Sequence, residues 1–407
     1  MNAAMPRYAL DADALQSLTA YLRTLSVAAS PGVTDSNVHF ALVLQPGTDA
    51  EQRRAMVEIL ETFFKDRNRG QRAELRRENA GQVHLGRTYH EWVLHVWDLK
   101  GASDTWGAQL ERYYQQQAVF ALVSGLGKAS WRPIHEFSER NELPCILPQA
   151  DVPVVEGQGY YTVYISQGVS LEAQALAKYL RDSGEGSPVV QVYRREDAAA
   201  TAAAAFRKAW ASESRMLTDR VIEAPPDAAY WQQVAREAPG ATLVLWLRPE
   251  DLGSAQVLTD SASPLKAVYL SSALVGAKRT GVSADSAGRL RLIYPQDLPA
   301  ARAARLDLVK RWMHNNGIAP ADEQLQLNTY LAATVVGMMV THSKDTYSRD
   351  FLLERMEHRL GTSLETSIYP RLSLGPGQRF ASKGSYIVKF DADHDGQLSL
   401  LSEWIVP

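Results

Sequence analysis

The feature that most constrains this chain is the alternation of short apolar strands with amphipathic helices, which runs from residue 38 to about residue 272. "VHFALVL" (38–44) reads as a buried strand, and the next segment places Met56, Ile59, Leu60, Phe63 and Phe64 at helical spacing. The rhythm continues with strands at 91–99, 118–126 and 144–148, and with helices between them, including one at 130–141. It resumes with a helix at 170–182 and strands at 188–194, 216–223, 241–247 and 266–272, the intervening helices including one that starts at Glu250. Strands that alternate with helices imply parallel sheets wrapped by helices. Two sets of four or five strands fit two doubly wound α/β lobes, and a (β/α)₈ barrel is the alternative that the pattern leaves open.

Beyond residue 289 the pattern changes to one strand, "RLRLIYP", helices at 299–315, 321–343 and 348–360, a Gly- and Pro-bearing loop, and a terminal hairpin. This tail reads as elements returning to finish the lobes already built. At the other end, residues 11–25 form a helix by pattern, with Asp11 or Asp13 as cap and Leu15, Leu18, Leu22 and Leu25 on one face. "SVAASPGVTDSN" (26–37) is a linker signature, which puts a boundary near residue 36.

Composition removes several function classes. The net charge of −3 supplies no field for nucleic acid or an anionic membrane, and the basic run at 65–79 is interleaved with Asp66, Glu74 and Glu78. One cysteine, Cys145, rules out an internal disulfide and a four-cysteine zinc site. The longest apolar run (330–340) falls short of the roughly 20 residues that a spanning helix needs. The first 25 residues lack the basic-then-apolar form of a signal peptide, so the chain as given carries no export address.

Local motifs add little chemistry. "DADHDGQLSLLSE" (391–403) places Asp391, Asp393, Asp395 and Gly396 like a calcium loop, but Ser402 stands where the bidentate glutamate belongs and the flanks read as strands. A hairpin with an Asp/Gly-rich turn accounts for it. "SGLGKAS" (124–130) has Leu122 and Ala129 where a phosphate loop needs Gly and Ser/Thr. Its pattern still predicts a small-residue loop with N–H groups free at a helix N-terminus, suited to a carboxylate. The nine histidines form no metal pattern and G-x-S-x-G is absent, so no nucleophile–base set supports an enzyme, and no cofactor is expected.

Several stretches in their order and spacing carry a resemblance. "VHLGRTYHEWVLHVWD", "VFALVSGLGKASWRPIHEFSERNELPCILPQADVP", "SQGVSLEAQALAKYL" and "YPRLSLGPGQRFASKGSYIV" together resemble the leucine/isoleucine/valine-binding family of type I periplasmic binding proteins, over about residues 37–407. The resemblance implies two Rossmann-like lobes with a ligand held between them: 37–166 with 289–362 as lobe 1, and 167–288 with 363–407 as lobe 2. It implies an extracytoplasmic, non-enzymatic solute receptor for an amino acid, amide or related molecule, with an ABC permease as partner, periplasmic, and a monomer or weak dimer.

Carried over by position, the ligand would meet Ser124, Gly125, Ala129, Ser130, Gln149, Ala150 and Asp151 in lobe 1. In lobe 2 it would meet Tyr193 and Glu250, with Ser271 and Tyr330 as further candidates. Glu250 has two readings, a partner for a ligand ammonium or an acid favoured by a helix N-terminus. Asp151 stands where the family usually has a hydroxyl, and "QPGTDAEQRRAM" replaces the usual small stretch after the first strand. The opening "MPRYALDADALQSLTAYLRTLS" resembles the end of a class I cytochrome c domain, with Met5 at the haem-ligand position, yet C-x-x-C-H is absent. Residues 1–26 read either as a remnant of such a domain or as an amphipathic helix docked on a lobe. The first makes a redox-linked sensor with a cytochrome partner the alternative function.

Overall fold

The computed structural model describes residues 11–24, 30–80, 89–157, 159–184, 187–195, 197–211, 216–276, 288–341, 347–360, 367–390 and 397–407. Met5 and the Asp391–Gly396 turn lie outside them. Helix α1 (Ala12–Thr24) is capped by Asp11, whose carboxylate accepts from Ala14 N–H at 2.7 Å. Leu15 and Leu18 are 54% and 40% exposed, so at these two positions the expected apolar face is not buried against a lobe.

The first sheet is built from β1 (Asn37–Leu44), β2 (Glu91–Asp98), β3 (Ala121–Val123), β4 (Leu126–Ser130), β5 (Cys145–Ile146), β6 (Gln149–Val152) and β7 (Thr162–Val163). β3 continues as β4 and β5 as β6, so the spatial order is β2–β1–β3/β4–β5/β6–β7, all parallel. β1 is buried on both faces, as a central parallel strand must be. On one face α2 (Ala50–Ala80) delivers Met56, Ile59, Leu60 and Phe64, and Phe40 meets the rings of Phe64, Trp92 and Phe120. On the other lie α3 (Trp106–Gln116) and α4 (Arg132–Arg140). The single thiol, Cys145, is fully buried on β5, and burial pushes its pKa up to about 12.

The second lobe follows with α5 (Val169–Asp182), β8 (Val189–Arg194), α6 (Asp197–Trp210), β9 (Leu217–Ile222), α7 (Ala228–Glu237), β10 (Thr242–Trp246), β11 (Ala267–Ser271), α8 (Ser272–Val275) and β12 (Leu290–Tyr294). Beyond it come α9 (Pro299–Asn315), α10 (Glu323–Thr341), α11 (Arg349–Arg359), β13 (Tyr386–Phe390) and β14 (Leu398–Leu400). The second sheet has the order β14–β13–β12–β11–β10–β8–β9, parallel except for β13 and β14. Two sheets with separate cores make this a two-lobe α/β architecture and exclude the barrel.

The tail is shared more finely than the resemblance implied. β12, placed with lobe 1 by sequence, pairs with β11 in the second sheet, while α9, α10 and α11 pack on lobe 1. Residues Ile368–Ala381, placed with lobe 2, contribute Ile368, Tyr369, Leu372, Leu374 and Ala381 to the core of lobe 1, and the described residues from β13 onward join lobe 2. The chain therefore crosses between lobes after β7, after β12 and before β13. These crossings run side by side: Ser382 N–H donates to Ile165 O at 2.7 Å and Asp297 N–H to Ile368 O at 2.9 Å.

Candidate functional site

In each lobe the chain leaves its first strand on one side and returns on the other. The resulting switch points lie between β1 and β3/β4, and between β8 and β10. A crevice opens at the C-terminal end of such a point, because the two connecting helices pack on opposite faces of the sheet. Here the switch points face each other across a cleft of about 540 Å³. Lobe 1 lines it with Lys128 and Ala129, and lobe 2 with Arg194, Trp246, Arg248, Glu250 and Asp251.

Lobe 1 has filled its own crevice. Gln45 follows β1 and is 2% exposed; its side chain accepts from Ala129 N–H at 3.1 Å and donates to Ser130 O at 3.2 Å. A Cβ at Gly127 would stand 2.4 Å from the Gln45 amide carbon. Gly125 has φ +146° and faces Trp131, whose ring would lie 2.7 Å from an added Cβ. The expected loop with free N–H groups is thus corrected: Leu126–Ser130 is a strand paired with Gln149–Val152, and Trp131 N–H donates to Val152 O. "LGKAS" has no strand pattern of its own; β6 on one side and Gln45 on the other hold it extended.

Lobe 2 carries the charge. Arg194, the last residue of β8, makes a fork to Asp251 at 2.8 and 2.6 Å, and Asp251 is fully buried. Bidentate pairing of this kind suits the planar guanidinium. Arg248, two residues beyond β10, reaches across the cleft and donates to Asp151 at 2.7 Å. Burial raises the Asp151 pKa, and Arg248 and then Lys128 oppose that shift. Glu250 stands exposed in a 3₁₀ turn (Pro249–Asp251) rather than in the first turn of an α-helix.

The lobes also touch through small residues. α6 packs against β4 and β6, where Ala198 and Ala199 are buried, and Val152 of β6 enters the core shared by α5 and α6. A Cβ at Gly168, at the start of α5, would sit 2.4 Å from Asp151 O. Beside this contact Glu172 of α5 is buried, with no ion-pair partner among the described residues. Its carboxylate accepts from Ser271 Oγ, from Ser272 Oγ at 2.7 Å and from Ala273 N–H at 3.0 Å. Burial raises its pKa to about 7 against those hydrogen bonds, and the Asp151 charge adds to the rise.

Of the residues singled out by sequence, Ala129 and Glu250 line the cleft, and Asp151 enters it through Arg248. Ser124 is wholly buried, with φ 59° and its hydroxyl unpartnered among the described residues. Ser130 Oγ accepts from Arg132 N–H, and the Gln149 amide turns to Leu325 O and Thr329 on α10. Ala150 packs into the α3/α4 side of lobe 1, and Tyr193 into the lobe 2 core with its hydroxyl near Arg207. Ser271 holds Glu172, and Tyr330 packs on Phe63 and Trp312. Tyr330 is therefore spent on lobe 1 packing. Sequence reasoning missed Arg194, Arg248 and Asp251. The signal was available in part, since Arg194 adjoins Tyr193 at the end of β8, and Arg248 and Asp251 lie with Glu250 in the segment that follows β10.

Comparison with solved structures decides the architecture. A fatty acid ABC transporter substrate-binding protein from Thermomonospora curvata superposes with a TM-score of 0.62 at 14% identity, covering 94% of this chain and 95% of that one. An ABC transporter substrate-binding protein from Desulfitobacterium hafniense gives 0.63 at 16%, covering 90% and 100%. The fold is that of the type I periplasmic binding proteins. A branched chain amino acid ABC transporter from Thermus thermophilus with bound valine shares the fold at 0.60 and 12% identity, over 91% of this chain and 97% of that one. No family model and no curated protein matches the sequence. In this version of the periplasmic binding fold, lobe 1 presents a plugged crevice and lobe 2 presents paired charges. No group of three metal-ligating side chains occurs among the described residues.

Proposed function

We propose that the chain is an extracytoplasmic solute-binding protein that holds a small polar organic molecule, an amino acid, an amide or a relative, between its lobes. An ABC importer is the proposed partner, and no catalytic step is assigned. The observation that carries this reading is the facing pair of switch points, with charged side chains from both lobes around one cleft. Lys128 of lobe 1 takes the anionic end of the ligand and Glu250 of lobe 2 its ammonium or amide end. The plugged crevice moves recognition away from Ser124 and Gly125 and towards the ends of β8 and β10. A fatty acid ABC transporter substrate-binding protein and a branched chain amino acid ABC transporter share this fold, so the fold leaves the ligand to the cleft's own chemistry.

The test is thermal stability of the purified chain against amino acids, amides, short amines and aromatic acids. A ligand at 100 times its dissociation constant stabilises the native state by roughly 2.7 kcal/mol. One chemical group is expected to raise the melting temperature, and Glu250→Ala and Asp151→Ala are expected to weaken that effect. No shift across the panel overturns the receptor reading.

A second expected result concerns the cross-lobe pair. Arg248→Ala removes the counter-charge of Asp151 and is expected to cost about 1–3 kcal/mol, the range for a hydrogen-bonded charge left partly buried. The lobes are expected to part, which small-angle scattering would record as a larger radius of gyration. An unchanged radius would mean that the packing of α6 on β4 and β6 holds the lobes by itself.

A further inference from the structure

At the outer edge of lobe 1, two histidines that stand 56 positions apart in the chain meet. β1 and β2 pair in parallel with His39 opposite Val93 and Ala41 opposite His95. Alternate residues of a strand share a face, so both imidazoles stand with Ala41 and Trp97 on the α3/α4 side of the sheet. His39 Nδ1 lies 2.9 Å from His95 Nε2 and the ring centroids are 5.2 Å apart, so the rings meet nitrogen to nitrogen. β2 ends the sheet. Its residues 93–96 are all partly exposed, whereas residues 40–44 of the neighbouring β1 are all buried. The pair, itself partly exposed, thus stands at an edge that solvent reaches.

The geometry of the pair is that of a chelate. Two ligands at right angles on a metal, each bonded at about 2.0–2.1 Å, stand about 2.9 Å apart, which is the spacing of these two nitrogens. Their separation needs no change; the rings need only tilt to aim both lone pairs at one point on the solvent side. The hydrogen now shared between them is carried by water to the far nitrogen of its own ring, a tautomer change that leaves both rings neutral. Burial lowers the pKa of both histidines, and the nearness of His39 lowers that of His95 further, which favours the neutral form that ligates metals. No third His, Cys, Asp or Glu joins them among the described residues, so water completes the coordination shell. Imidazole ligands suit Cu²⁺, Ni²⁺ and Zn²⁺, whereas Ca²⁺ and Mg²⁺ take oxygen ligands.

We propose that His39 and His95 form a two-histidine site on lobe 1, separate from the cleft, for a divalent ion of the Cu²⁺, Ni²⁺ and Zn²⁺ class. Ni²⁺ is the probe, titrated calorimetrically into the full, untagged chain in a buffer that does not bind metals. One saturable site is expected, weakened at least about tenfold by His39→Gln and likewise by His95→Gln, because a chelate loses its advantage when either ligand goes. His314→Gln, at the exposed end of α9, and Glu250→Ala, in the cleft, are expected to leave it unchanged. Cu²⁺ is expected to bind more tightly than Ni²⁺, with an electron spin resonance spectrum coupled to two imidazole nitrogens, and Ca²⁺ is expected not to compete. No saturable binding up to about 1 mM Ni²⁺ would overturn the proposal. So would binding that either histidine variant leaves intact, which would be a single-histidine contact or a site elsewhere, or equal competition by Ca²⁺. Each variant's melting curve shows that it is folded, and the cleft panel reads the receptor function independently.

Discussion

Arg349→Met is expected to destabilise the chain by about 3–5 kcal/mol, because it strips several buried acceptors at once, each worth about 1–3 kcal/mol when left unsatisfied. Arg349 is buried at the start of α11, where its guanidinium serves six acceptors. Nε donates to Phe120 O at 3.1 Å; Nη1 donates to Asn141 O and Glu142 O at 3.0 and 3.1 Å; Nη2 donates to Val119 O, Tyr114 Oη and Pro31 O at 2.7, 3.0 and 3.2 Å. One side chain thus ties the linker, the lead into β3, α3 and the end of α4 together. It also meets the carbonyl of Glu142, whose φ of 49° is one that side-chain-bearing residues rarely adopt. At roughly 2–4 °C per kcal/mol for a domain of this size, the melting temperature is expected to fall by about 10 °C. Arg349→Lys is expected to recover little, since an ammonium has three donors and no fork. Melting curves that match wild type within about 0.5 kcal/mol would show that water replaces these bonds without loss.

Glu172 sets the second large effect, and its sign is the reverse of an ordinary salt-bridged acid. The folded carboxyl titrates near 7 and the unfolded one near 4.5. Between those values the folded chain binds the extra proton, so stability falls as pH rises through that window. At about 1.4 kcal/mol for each pH unit, the loss from pH 4.5 to 7 amounts to about 3 kcal/mol at most. Glu172→Gln keeps an acceptor for Ala273 N–H and lets the serine hydroxyls rotate to accept from the amide. It is expected to flatten this part of the pH profile and to be at least as stable as wild type at pH 8. Urea unfolding at pH 5 and pH 8 checks it. Identical slopes for the two proteins would show that Glu172 titrates normally and that water reaches it.

Much of the fold was legible because parallel strands buried on both faces announce themselves. "VHFALVL", "PVVQVYR", "ATLVLWL" and "KAVYLSS" are short, mostly apolar runs, and all four hold strands. The 126–130 strand was not legible, since Gly127 and Lys128 carry no strand preference and the segment is extended by what packs on it. The helix expected from Glu250 stops as 3₁₀ turns, with Gly253 between them. Of the site, the segments were readable and the pairings were not. Asp151 and Arg248 stand 97 positions apart, and nothing local tells either that the other neutralises it. Glu172 lies in "SLEAQALAKYL", where a helical glutamate looks like a solvent residue until Ser271 of β11 and Ser272 of α8 close over it.

The buried position of Cys145 has a practical side. Its thiol is the chain's only one, and it is buried on β5 between β3 and β7, with its proton held to about pH 12. Maleimide and iodoacetamide reagents attack the thiolate, so the folded chain offers them nothing at neutral pH. A cysteine placed at exposed Leu308 and another at exposed Met216, one on each lobe, would each become the sole labelling point of its lobe. The natural sequence is thus already a silent background for fluorophore or spin-label pairs. The distance between the lobes can then be followed in solution as ligands are added, without first editing the core.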